Sequence, residues 1–294
     1  MKKLLLLLII PVLACSQKPA VKLDTNQLIE DLRFISSDAT EGRRTGTEGN
    51  RIAREYLVTR FQEVEAQPFQ DSYTHEFTFE NRRTQEEVSA INVIAKVDGK
   101  TDSMIVITAH YDHLGMRDSL IFNGADDDAS GTAALLALAD YFVKVKPNHT
   151  LVFAAFDAEE MGLQGAHAFV EDSVMLSKVK LNINMDMISQ NDSSEIYAVG
   201  TYHYPELKPI LESIETAGLK LLFGHDTPGS GSDDWTFSSD HGPFHSKGVP
   251  FVYFGVEDHK HYHSATDEFE TIPQDFYKAS VQMILNAIIV FDEQ

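Results

Sequence analysis

The sequence predicts an α/β protein with a mixed, mostly parallel central β-sheet and helices on both faces. Three observations predict it. From Val88 onward, short runs rich in β-branched and aromatic residues alternate with longer helical patterns, the order produced by strands joined through helical crossovers. The run "TLVFAAF" (150–156) is apolar throughout, as a strand in the middle of a sheet must be. The segment "SGTAALLALADYFVKV" (130–145) is apolar almost all round, which marks a buried helix.

The elements follow in order. The chain opens "MKKLLLLLIIPVLACSQKPA". Lys2 and Lys3 precede an apolar run, Leu4 to Leu13, that is too short to span a bilayer, so 1–14 reads as a signal peptide. The run ends in "VLAC", which resembles a bacterial lipobox. That resemblance makes Cys15 a lipidated mature N-terminus, followed by a tether over 15–22. The expected location is therefore exported: a periplasmic or cell-envelope lipoprotein. Ser16 provides no inner-membrane retention signal, which favours the outer membrane.

After the tether come a helix, a Gly/Thr-rich turn around Gly42 to Gly49, and a second helix striped by Ile52, Tyr56, Leu57 and Phe61. "VSAINVIAKV" and "SMIVITA" read as strands, then the buried helix and the "TLVFAAF" strand. A helix from Gly162 to Asp172, the strand "KLNINMDMI", a helix over 205–217, the strand "VPFVYFG" and a final helix over 273–289 complete the run. "DTPGSGSDDW" reads as a long loop.

Composition narrows the chemistry. The chain has 294 residues, enough for one large α/β domain with a substantial core. A net charge of -21 argues against nucleic acid, whose phosphates need a basic surface. Cys15 is the single cysteine, so there is no disulfide, and any zinc must be held by histidine and carboxylate.

In open α/β sheets, ligands bind beyond the carboxyl ends of the strands. His110 and Asp112 come after "SMIVITA"; Asp157, Glu159 and Glu160 after "TLVFAAF"; Asp186 after "KLNINM"; the tract "HKHYH" after "VPFVYFG". "NGADDDASG", with Asp126, Asp127 and Asp128, precedes the buried helix. So many carboxylates on one rim would raise each other's pKa values, and a bound dication relieves that conflict. Histidine with carboxylate and no thiolate is a donor set for hydrolytic zinc.

The blocks "TAHYDHLG", "NGADDDASG", "FDAEEMGLQG", "NMDMI" and "HSATD" resemble, in order and at compatible spacing, those of the co-catalytic dizinc aminopeptidases. "EGRRTGTEGNRIAREYL" resembles that family's N-terminal part. The resemblance implies a zinc-exopeptidase (phosphorylase/hydrolase-like) fold, with 23–294 as one catalytic domain and two Zn²⁺ per chain. It implies Asp127 as the bridge between the metals, His110 and Asp186 on one, and Glu160 and His263 on the other. Glu159 would be the general base, and Asp112 would orient His110 through its other ring nitrogen. The implied reaction is removal of N-terminal residues from peptides by a metal-activated water. The implied partners are peptides with a free N-terminus, with membrane contact only through the lipid.

Asp126 and Asp128 read as backbone-bonding or capping residues, with Ser130 an equal candidate cap. "SSDHGPFH" resembles a further segment of that family, which implies that Ser239, Asp240 and His241 support the metal site without being ligands. Of "HKHYH", only His263 opens the block resembling H-[ST]-x-x-D, with Asp267 as its partner; His259 and His261 are placed in a loop along the cleft. His113, His149, His167, His203, His225 and His245 are assigned to surface or core. Two other readings are a single-zinc glutaminyl cyclase and a catalytically inactive binding ectodomain on the same fold. A serine hydrolase is set aside because no G-x-S-x-G elbow is present.

Overall fold

A computed structural model describes residues 21–294; residues 1–14, read as a signal peptide, and Cys15 lie outside the described residues. In chain order the elements are α1 (Thr25–Ile35), α2 (Glu48–Glu63), β1 (Gln67–Pro68), β2 (Thr74–Glu80), β3 (Glu87–Val97), β4 (Thr101–His110), β5 (Gly115–Arg117) and β6 (Leu120–Phe122). Then come α3 (Gly131–Lys144), β7 (His149–Phe156), α4 (Gln164–Val170), α5 (Ser173–Leu176), β8 (Val179–Met185) and β9 (Glu195–Val199). α6 (Leu207–Glu212), β10 (Lys220–Phe223), α7 (His241–Ser246), β11 (Phe251–Gly255) and α8 (Gln274–Asp292) finish the chain.

Nine strands form one sheet in the order β1-β3-β7-β4-β8-β11-β9-β10, with β2 also on β3. The central strands β7, β4, β8 and β11 run parallel, as a βαβ series requires. Antiparallel pairs join β3 to β7 and β11 to β9, so the sheet is mixed toward both edges. β2, β9 and β10 were not expected. β2 alternates half-buried and exposed residues at an edge, and β9 and β10 have only five and four residues, too few for a clear period.

Helix starts reflect local chemistry. The Asp24 carboxylate accepts from the amides of Asn26 and Gln27 to cap α1, and the Thr47 hydroxyl accepts from the Asn50 amide to cap α2. α3 carries Ala133, Ala134, Leu135, Leu136, Leu138 and Ala139, all without solvent exposure; the alanines let its backbone approach the sheet. α1, α2, α3 and α8 cover one face of the sheet. α4 and α7 cover the other, around Phe69, Phe156, Phe169 and Phe244. Among the described residues, no helix is long and apolar enough to cross a membrane.

The parallel register sets up the site. His110 pairs with Phe156, Thr108 with Asn184, and Met185 with Phe254, so these strands end almost level. The residues just beyond each strand end are thereby delivered to one rim.

Candidate metal centre

His110 is the last residue of β4. Its Nδ1–H donates to the Asp112 carbonyl oxygen at 3.0 Å, leaving Nε2 free. Nε2 lies 3.2 Å from Asp127 Oδ1 and 3.5 Å from Asp186 Oδ1. The other Asp127 oxygen, Oδ2, faces a second group: His263 Nε2 stands 3.2 Å from it and 3.6 Å from Glu160 Oε1. Asp127 thus turns one oxygen to each of two donor clusters. Glu160 Oε1 is buried with no hydrogen-bond partner among the described residues. An orphaned carboxylate oxygen among converging imidazoles is what a metal ligand looks like before its cation is counted, so these residues fit zinc.

The aspartate run is held by long-range bonds. Asp267 accepts the backbone N–H groups of Asp126 at 3.0 Å and Asp127 at 3.1 Å, and so orients the bridge through its main chain. Asp128 accepts from the amides of His110 (3.2 Å), Gly131 (2.9 Å) and Met187 (3.3 Å), tying β4, α3 and the end of β8 together. Asp126 accepts from the Ser189 amide and hydroxyl, each at 2.7 Å. Arg43 is fully buried beneath the run. Its guanidinium donates to the carbonyls of Tyr111, Ile35, Asn123 and Gly124 at 2.5–3.0 Å. Ser130 is not the helix cap. Its hydroxyl donates to the Asp126 carbonyl at 2.7 Å, and the Asp128 carboxylate takes the free amide of Gly131.

Packing also sets the charge balance. Burial would raise the Asp127 carboxyl, but His113, His110 and His263 hold it well below the usual carboxylate range. Glu159 goes the other way. Burial pushes it well above its usual range against the pull of His110, and Asp186, Asp240 and Glu160 add to the rise. Burial likewise lifts Asp240 to about 8 and Asp267 to about 7. Removed from water, these acids burden one another, which a dication offsets.

Above the donors lies a cleft of 660 Å³, with His110, Asp127, Glu159, Glu160, Asp186 and His263 on its floor. Trp235, Phe237, Tyr253 and Tyr262 form an aromatic wall, and Arg82 stands at its rim. Trp235 and Phe237 belong to the segment that begins as the Gly/Ser-rich loop. Trp235 stacks on His225 at 3.7 Å, and His225 is held between Asp233 (2.8 Å) and Glu257 (3.1 Å).

The model of peptidase family M28 matches residues 92–288, more than half the chain and all five metal-site blocks. The chain belongs to peptidase family M28. It is 27% identical over 254 residues to aminopeptidase YwaD of Bacillus subtilis, covering 82% of this chain and 52% of YwaD, so it spans about half that relative's length. Its fold is similar to that of BSAP, a zinc aminopeptidase from Bacillus subtilis (TM-score 0.72, 17% identity, 91% of this chain and 95% of that one). It is similar also to the glutaminyl cyclase of Fimbriiglobus ruber (TM-score 0.73, 18% identity, 93% and 97%).

The structure brings together the five candidate donors named from sequence: His110, Asp127, Glu160, Asp186 and His263. Glu159 lies on the same cleft floor. Asp112 does adjoin His110, but through its carbonyl; its carboxylate stays 3.7 Å away and accepts the Glu159 amide at 3.0 Å instead. Asp157 accepts from Thr45, Asn50, Tyr111 and the Ile91 amide, and is structural. His259 turns its Nε2 to Asp126 Oδ2 at 2.8 Å, and His261 its Nδ1 to Thr266, so neither joins the donors. Asp240 is buried near His110 with both carboxylate oxygens unpartnered among the described residues, whereas His241 bonds the Trp235 carbonyl and Ser239 takes the Asn184 amide.

One histidine assigned to surface or core belongs at the site: His113, whose Nδ1 is 2.8 Å from Glu160 Oε1. Its place three residues beyond His110, past the strand end, was the available signal. Asp267 was legible only as a partner of His263, and Arg43 not at all.

Proposed function

We propose that the chain is a dinuclear zinc aminopeptidase. The observation that supports it most is the division of Asp127 between two donor clusters, with Oδ1 beside His110 and Oδ2 beside His263, each at 3.2 Å. His110, Asp127 and Asp186 would hold one ion, and Asp127, Glu160 and His263 the other. Bound zinc would polarise the scissile carbonyl and bring the pKa of a water toward about 7. Glu159, with its raised proton affinity, would take the proton from that water and return it to the leaving amine. Asp112 would fix Glu159 by accepting its amide, and would fix the His110 tautomer by its own carbonyl. The acidic floor suits the ammonium of a free peptide N-terminus. The aromatic wall of Trp235, Phe237 and Tyr262 suits an apolar first side chain.

A single-zinc glutaminyl cyclase is the second reading, favoured by the fold shared with the Fimbriiglobus ruber enzyme. The complete second donor cluster weighs against it. Zinc quantification combined with a panel of aminoacyl p-nitroanilides, with and without chelator, tests the choice. One zinc with cyclisation of N-terminal glutamine would overturn the aminopeptidase. A folded chain that takes up no metal would instead support an inactive ectodomain. We also propose that 23–294 acts as one catalytic domain and that Cys15 is lipidated after export. Palmitate labelling lost in Cys15→Ser tests the anchor.

A further inference from the structure

The His113 side chain has no solvent exposure, and neither ring nitrogen has a hydrogen-bond partner among the described residues. Buried polar atoms are almost always paired, so an imidazole with both nitrogens orphaned requires a reason. Nδ1 stands 2.8 Å from Glu160 Oε1 and 3.8 Å from Asp127 Oδ2. The closer approach lies outside hydrogen-bond geometry, and Glu160 Oε1 is itself orphaned. Bonds of about 2.0–2.1 Å at the tetrahedral angle place their donor atoms about 3.3–3.4 Å apart. The separations His113–Glu160 (2.8 Å), His263–Asp127 (3.2 Å), His263–Glu160 (3.6 Å) and His113–Asp127 (3.8 Å) scatter about that value, as donors around one cation do. The backbone makes room for the ring: a Cβ at Gly124 would lie 2.5 Å from His113 Cδ2, and Gly124 has φ +53°.

We propose that His113 Nδ1 is a protein ligand of the second zinc, an inference that rests on the dinuclear reading above. The second ion would then have four protein donors, Asp127, Glu160, His263 and His113, the number of a closed zinc site. The first would have three, Asp127, His110 and Asp186, the number that leaves a position open for water or substrate. The two sites divide their labour accordingly. The second binds more tightly and fills first, anchoring Asp127. The first carries the exchangeable position beside Glu159.

The test is titration of the metal-free full chain with Co²⁺, following affinity by chelator competition and counting paramagnetically shifted imidazole N–H resonances by NMR. Wild type is expected to show three shifted imidazoles at two equivalents, with those of His113 and His263 appearing at the first equivalent. His113→Gln should lose one resonance and weaken the tighter site at least ~10-fold while the other site still loads. In His113→Gly, added imidazole should restore the affinity, which a merely structural defect would not allow. Two cobalt ions with only two shifted imidazoles, or wild-type affinity in His113→Gln, would overturn the assignment and leave the dinuclear reading standing. Uptake of fewer than two ions by wild type would overturn both.

Discussion

Replacing Glu159 by Gln isolates the proposed proton transfer. The substitution keeps the side chain's length. The Glu159 amide, which bonds Asp112 Oδ1 at 3.0 Å, is untouched, so the local backbone should persist. Glu159 belongs to neither donor cluster around Asp127, so two metals should still bind. What is lost is the carboxylate proposed to receive and return the proton. A positioned general base contributes about 10²–10⁴-fold, so kcat should fall by that factor, which corresponds to about 3–5 kcal/mol of barrier. KM should change by less than about threefold, because the lost interaction is made only in the transition state. The assay is steady-state hydrolysis of leucine p-nitroanilide beside zinc quantification of the same preparation. Glu159→Gln turning over within tenfold of wild type would refute the base assignment. Loss of one zinc would show instead that Glu159 is a ligand.

Buried groups and the cleft wall supply further tests. Arg43→Met removes a guanidinium that serves four carbonyls; each orphaned carbonyl costs about 1–3 kcal/mol, so denaturant melts should show a loss of about 4 kcal/mol or more. Burial lifts Asp157, Asp267 and Asp240 to about 6, 7 and 8, above their unfolded values. Each adds stability that is complete near pH 4 and is lost as pH rises through 6 to 8, so calorimetry of the metal-free chain should show a higher Tm at pH 5 than at pH 8. Restoring zinc at pH 8 should raise Tm, since only the folded chain assembles both donor clusters. Phe237→Ala, which opens the aromatic wall, should lower kcat/KM for leucine p-nitroanilide more than for the alanine analogue.

The legible part of this protein is what repeats at short range. "SMIVITA", "TLVFAAF" and "VPFVYFG" announce buried strands by apolar runs, and His110, Glu160 and Asp186 sit at or shortly beyond strand ends, so much of the rim could be assembled from order alone. His113 was not legible, because nothing in "HYDHLG" says whether the chain turns its last imidazole inward after the strand ends. Asp112 was placed beside His110 correctly, but whether carbonyl or carboxylate faces the ring depends on torsions that spacing does not encode. Arg43 contacts Tyr111, Asn123 and Gly124, some 68 to 81 residues away, and a lone arginine in a Gly/Thr-rich turn reads as solvated. The segment "DTPGSGSDDW" reads only as a long loop. Only its His225–Trp235 stack and the Glu257 contact from the far side of β11 make it a cleft wall.

The most direct measurement of the central claim is zinc content determined alongside release of the first residue from an unblocked peptide, before and after chelation. The dinuclear aminopeptidase reading predicts two zinc ions per chain, release abolished by chelator and restored by zinc, and no release from the N-acetylated peptide. One zinc per chain with cyclisation of N-terminal glutamine, or cleavage that persists in the metal-free chain, would contradict it.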